Sequence, residues 1–110
     1  MNAEEIIEEL MKGLAVELIQ SDDMVTGLIA ETNAGFFGLD WVDFLRVNEV
    51  EGGNIEFAVV LHLSGEQGED IPFGGDSIEV QVEGVASQVD GSYRLSRYTV
   101  VDAERVFQDD

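Results

Sequence analysis

The sequence predicts one α+β domain: an N-terminal amphipathic helix, and in one reading of residues 24–32 a second short helix, packed on a strongly curved four-stranded antiparallel meander. Three observations carry that expectation. Apolar residues recur at helical spacing over residues 3–20, the period changes to two from Trp41 onward, and glycine-bearing turns cut the remainder into stretches of strand length. A chain of 110 residues makes a single domain with a single core.

The helix is the best-marked element. Ile6, Ile7, Leu10, Met11, Leu14 and Leu18 fall on one stripe at the i, i+3, i+4 spacing. Asn2 caps the first turn, and Glu5 three residues later completes a capping box; Glu4 and Glu5 also suit the positive end of the helix dipole. Glu8 and Lys12 are spaced for an i, i+4 ion pair. Val16 and Ile19 fall outside the stripe, which asks for a second element or a second subunit against the last turn. Ser21-Asp22-Asp23 ends the helix. In residues 24–32, Met24, Val25, Leu28 and Ile29 have helical spacing with Asp22 as cap, whereas Val25, Thr26 and Ile29 also suit a strand; the short helix is preferred. Asn33-Ala34-Gly35 reads as a turn into the aromatic stretch Phe36-Phe37-Gly38-Leu39-Asp40-Trp41.

Four strands follow, at 41–50, 54–64, 77–89 and 92–107. Glu51-Gly52-Gly53 and Asp90-Gly91 are hairpin turns. The second strand alternates most cleanly, with Ile55, Phe57, Val59, Leu61 and Leu63 on one face, which must be core, and Glu56, Ala58, Val60, His62 and Ser64 on the other. In the third, the apolar set passes from Ile78, Val80 and Val82 to Val85 and Val89; a bulge at Gly84 would return the later valines to the core face. The fourth also changes parity, from Tyr93 and Leu95 to Tyr98 and Val100. Paired irregularities imply a bent sheet. By element order alone, the arrangement resembles the cystatin-like and nuclear-transport-factor-like folds, in which a helix lies in a curled sheet; that likeness says little about activity.

Composition removes several classes of function. Without cysteine there is no disulfide scaffold, thiolate metal site or thiol nucleophile, and one histidine cannot build a His-based zinc or iron site, so only carboxylate sites remain. No segment is apolar over a membrane-spanning length, and Met1-Asn2-Ala3-Glu4-Glu5 is acidic where a signal peptide is basic, so a cytoplasmic protein is expected. Against 24 acidic residues stand only 5 basic ones, for a net charge of −19, which opposes direct binding to nucleic acid or anionic lipid. No cofactor is expected. Phosphate-loop, dinucleotide and serine-hydrolase patterns do not occur in the required context.

The candidate sites are few. His62 lies mid-strand within reach of Asp43 or Arg46 across the first hairpin; His62 with Asp43 in the mouth of a curled sheet has the makings of a general base, against the plainer reading of a packed structural histidine. The connection Gly65–Asp76 gathers Glu66, Glu69, Asp70 and Asp76 with four glycines, chemically apt for Ca²⁺ but without the spacing of a known calcium loop, so a solvated hairpin loop is preferred. Phe73 in that loop needs a place to pack, either on the domain or in a partner, so Phe73 with Glu66, Glu69 and Asp70 is also a candidate binding site for a ligand or partner. Phe36, Phe37, Trp41, Tyr93 and Tyr98 are suited to line an apolar ligand pocket, or alternatively Phe36, Phe37 and Tyr98 fill the core; core is preferred for Phe36 and Phe37, while Trp41 and Tyr93 are kept as candidates for binding a partner or a small apolar ligand.

Three accounts of the acidity compete: solvation in a salty environment, mimicry of DNA, and attraction of a basic protein partner. Area scaling assigns a 12.1 kDa fold roughly 6,000 Å² of surface, or about 320 Å² per net charge. A DNA duplex has about 110 Å². Mimicry therefore needs clustering, and solvation is the better account. Apolar residues outside the core face (Ala58, Val60, Val101 and Ala103, with Val16 and Ile19 on the helix) point to a homodimer or higher oligomer. The expected function is a non-enzymatic binding protein that assembles with itself through its sheet face. A pocket protein using His62 and Asp43 is the alternative, and an acidic mimic of DNA comes third. Since self-repulsion opposes folding and salt screens it, the melting temperature should rise between about 0.05 and 1 M NaCl; a flat profile in thermal denaturation would count against the solvation account.

Overall fold

The computed structural model describes residues 2–32, 36–66 and 77–106. Two helices, α1 (Ala3–Ser21) and α2 (Asp23–Ala30), pack on one face of an antiparallel sheet of β1 (Phe36–Val50), β2 (Asn54–Glu66), β3 (Ser77–Val89) and β4 (Ser92–Val106), in the order β1-β2-β3-β4. The sheet is open, with β1 and β4 at its edges. It is the α+β meander the patterning predicts.

Local chemistry sets the helix ends. The Asn2 side chain accepts the Glu5 N–H at 2.8 Å while the Glu5 carboxylate accepts the Asn2 N–H at 3.4 Å, a complete capping box. Lys12 pairs with Glu9 at 2.9 Å, not with Glu8; the i, i+3 partner wins, and hydrogen bonding to Glu9 followed by its charge raises the lysine pKa. Asp22 serves two helices at once. Its N–H donates to Leu18 to close α1, and its side chain accepts the Val25 N–H at 3.0 Å to open α2. That cap decides residues 24–32 for helix over the β-propensity of Val25, Thr26 and Ile29. At the far end, Arg105 of β4 donates to the Glu31 carbonyl at 3.2 Å, satisfying an acceptor of the α2 C-terminus.

The core is built on the inner row of β2. Phe57, Val59, Leu61 and Leu63 are fully buried, as are Ile78, Val80 and Val82 beside them and Ile7 and Met11 above. Among the described residues no polar or charged side chain is buried, so the interior is held by packing alone.

Two expectations about the course of β1 and β3 are corrected. β1 begins at Phe36, not Trp41: residues 36–39 pair with 63–66 of β2. The aromatic stretch hides its strand character because Asp40 is a bulge that reverses the alternation. The bulge expected at Gly84 is also absent, for the β2–β3 register runs unbroken through Phe57↔Gly84. Gly84 instead keeps the inner parity with Val82 and Ala86, so Val85 is only half-buried and Val89 is exposed. Its role is clearance. A Cβ there would stand 2.5 Å from the Arg97 carbonyl oxygen, 2.9 Å from the Phe57 ring and 3.1 Å from the Tyr98 Cα.

The irregularities lie in the edge strands. Register shifts leave Asp40 and Leu45 unpaired in β1, and Ser96 and Val101 in β4. Both edges therefore repeat one pattern of inward parity: Phe37, Leu39, Val42, Phe44 and Val47 in β1, and Tyr93, Leu95, Tyr98, Val100 and Ala103 in β4, although Tyr98, opposite Gly84, stays exposed and does not join the core. The gap widens from two to three at each bulge. The parity change read in β4 between Leu95 and Tyr98 is the bulge at Ser96. Ala103, expected on the second face, packs against the core.

Gly84→Ala should destabilise the domain by about 1–3 kcal/mol, because two of the three clashing atoms are backbone of β4 and cannot rotate away. Gly38→Ala, with nothing within 4 Å of the new carbon, should stay within about 0.5 kcal/mol. Urea denaturation of the two variants checks the contrast.

Candidate functional site

The face of the sheet opposite the helices is covered by no other described element, and the four bulges determine what it displays. Strict alternation would turn Trp41, Arg46, Arg97 and Asp102 inward. The extra residue just before each one, at Asp40, Leu45, Ser96 and Val101, turns it outward.

Four rows cross this outer face from β1 to β4. The first is Asn48, Glu56, Val85 and Arg97; the second is Arg46, Ala58, Glu83 and Thr99. Then come Asp43, Val60, Gln81 and Asp102, and finally Trp41, His62, Glu79 and Glu104. The charges are sorted along the strands. Arg46 and Arg97, with Arg94 one pair further on beside Ser87, lie toward the hairpin turns among Glu56 and Glu83, and the other end, with Asp43, Glu79, Asp102 and Glu104, carries acidic groups and no arginine in these rows. Among the described residues, Arg46, Arg94 and Arg97 make no ion pair.

His62 is the best-anchored polar group of the acidic end. Its Nε2 lies 2.6 Å from Asp43 Oδ2, and because an ionised carboxylate only accepts, Nε2 carries the proton. Nδ1 faces Glu79 Oε1 at 3.5 Å. The Trp41 ring stacks on the imidazole, with centroids 4.2 Å apart and planes 16° from parallel. The histidine side chain is 14% exposed, whereas Asp43 is 60% exposed. The predicted pair is thus brought together, but on the outer face and not in the mouth of the curled sheet. Ser64 donates to Asp40 at 3.0 Å, extending the network along the β1 edge. Among the described residues, no three of His, Asp and Glu converge as metal ligands.

The larger described clefts lie elsewhere. One of about 280 Å³ opens around Gly84 between Arg46, Glu83, Arg97 and Thr99, and one of about 380 Å³ runs between α1 and the start of β1, lined by Val16, Ile19 and Phe37. Tyr93 borders a third, of about 290 Å³, with Ile6 and Leu10, and packs partly against the core. His62 lines none of these. Trp41 remains 52% exposed despite its stack. Of the proposed loop site, Glu69, Asp70, Phe73 and Asp76 lie outside the described residues, and Glu66 is placed through its backbone pairing with Phe36.

The arginine end is what the sequence reading overlooked. Arg46 entered it only as a reach from His62, and Arg97 not at all. The signal was present as three-residue gaps between apolar positions, Leu39 to Val42, Phe44 to Val47 and Val100 to Ala103, which read as bulges once β2 supplies the register.

No protein-family profile, no curated protein and no solved structure matches this chain. No helix is long and apolar enough to cross a membrane.

If His62 is a structural member of this face, His62→Ala should cost about 1–2 kcal/mol from the lost stack and hydrogen bond. Asp43→Ala, which removes a mostly exposed partner, should cost under about 1 kcal/mol. Trp41 is the sole tryptophan, so its emission in equilibrium urea titrations reports both values; equal losses would contradict the assignment.

Proposed function

We propose that this chain is a small, acidic, non-enzymatic interaction protein that assembles with itself through the outer face of its sheet, in a salt-rich cytoplasmic setting supported by the −19 charge. The observation that carries the reading is the character of that face. It has no covering layer among the described residues, yet it presents Trp41 at 52% exposure, Leu45 at 58% and Val101 at 46%, with the buried Ala58 and half-buried Val60 between them. A monomer leaves few such apolar groups together in water. The arginines on the same face, which make no ion pair among the described residues, add an electrostatic reason for a second surface to cover it.

The interior supports a binding role over a reaction centre built on His62 and Asp43. Catalytic groups are tuned by burial and by enclosed clefts, whereas His62 borders none of the described clefts and no polar side chain is buried among the described residues. The arginines also interrupt the carboxylates along the sheet, which favours self-association over mimicry of a continuous phosphate row.

Size-exclusion chromatography with light scattering tests the proposal. At micromolar concentration and moderate salt the protein should elute with at least twice the 12.1 kDa chain mass. A persistent species of single-chain mass would refute it.

A further inference from the structure

The outer face is self-complementary. We infer that it forms a two-fold dimer in which the arginine end of one copy covers the acidic end of the other; this rests on the self-association proposed above and specifies its geometry. A face-to-face pair related by a two-fold axis lying between the sheets and running across the strands superposes the rows in reverse order. With the axis between the Arg46 row and the Asp43 row, β1 lies over β1 of the second copy, and β4 over β4. Arg46 then meets Asp43 of the second copy, and Arg97 meets its Glu104, each pair occurring twice by symmetry. Glu56 falls over His62 of the second copy in the same superposition. The oppositely charged residues that fall directly over one another, Arg46 on Asp43 and Arg97 on Glu104, attract, whereas Glu83 falls over Gln81 of the second copy with that copy's Asp102 one strand away, a smaller opposing contribution.

The alternative axis, along the strands, lays each row on itself. It sets the acidic rows of the two copies against each other, so the charge sorting selects the first arrangement. The ion-pairing pattern agrees. In a chain with 24 carboxylates, three arginines on one face find no ion-pair partner among the described residues, while Lys12, on the helix layer, does. The waist between the two ends carries Ala58, Val60 and Gln81, small or uncharged groups suited to the centre of an interface, with Glu83 the one charge of the two central strands there.

The area suffices. Four strands about 4.8 Å apart, each about thirteen residues long at about 3.3 Å per residue, present roughly 800 Å², the share each partner gives to a standard interface. Sheets stacked at about 10 Å leave room for arginine and carboxylate side chains to meet across the gap. The net charge of each copy does not forbid this. At about 0.15 M salt the Debye length is about 8 Å, so repulsion between the bodies is screened while pairs in contact are much less affected.

Charge exchange tests the arrangement. One variant carries Arg46→Glu and Arg97→Glu, the other Asp43→Lys and Glu104→Lys, and sedimentation or light scattering measures each alone and mixed in equal amounts, with melting curves to verify folding. Each variant alone should dimerise at least about tenfold more weakly than wild type, and the mixture should recover the wild-type affinity, because every reversed charge then faces its opposite. If Asp43→Lys impairs folding through the lost His62 bond, Arg97→Glu with Glu104→Lys alone repeats the test. A wild-type dimer whose affinity the reversals leave unchanged, or which Val16→Arg on α1 disrupts while they do not, overturns this geometry and leaves self-association standing. Weakening without recovery in the mixture also overturns it. A wild-type chain that stays monomeric overturns both.

Discussion

The inner row of β2 is the constraint on which everything else depends. Phe57, Val59, Leu61 and Leu63 leave water together, and they do so only if a strand lies on each side and helices lie above. β3 meets that demand with unbroken alternation, placing Ile78, Val80 and Val82 beside the row and opening a gap at Gly84 for the Phe57 ring. The helices meet it with the Ile7–Met11–Leu14–Leu18 stripe and with Val25, whose position follows from Asp22 ending one helix and starting the next.

The edge strands follow the same row at a different rhythm. Keeping an apolar side chain inward along a bending sheet requires β1 and β4 to insert an extra residue twice each, at positions five apart in both strands. A bulge bends its strand and interrupts the ladder that an edge would otherwise offer to another chain, so the same four residues shape the sheet and blunt its edges. They also write the outer face, since the residue after each bulge is turned away from the core. Trp41, Arg46, Arg97 and Asp102 owe their exposure to this rule rather than to their own polarity. The chemical character of the face is in this sense a by-product of core packing, and selection has only to choose side chains at positions the bulges have already freed.

Charge then acts on two scales. Across the whole molecule the excess of carboxylates is diffuse, and dissolved salt screens such long-range repulsion. Along the outer face it is sorted, with three of the chain's five cations gathered at one end, and at contact distance that sorting matters more than the net value. His62 belongs to the second scale. Held by Asp43, faced by Glu79 and stacked under Trp41, it is a fixed element of the acidic end.

The sequence by itself determined the elements whose signals are local. The capping box at Asn2 and Glu5, the clean alternation of β2 and the Asp90-Gly91 turn, where φ is positive at both residues, each depend on neighbours a few positions away. The His62–Asp43 approach was legible as neighbouring strands of the hairpin across Glu51–Gly53, but it is the extra residue at Leu45 that puts Asp43 on the same face as His62. Only the tertiary structure decided what depends on a partner strand. Gly84 looked like a bulge because Val85 and Val89 changed parity, yet the register through Phe57 shows a glycine kept for clearance. The start of β1 at Phe36 and the outward turn of Arg46 and Arg97 were hidden for the same physical reason: one inserted residue reverses every side chain beyond it, and nothing local to the strand states which of two apolar parities the core will accept.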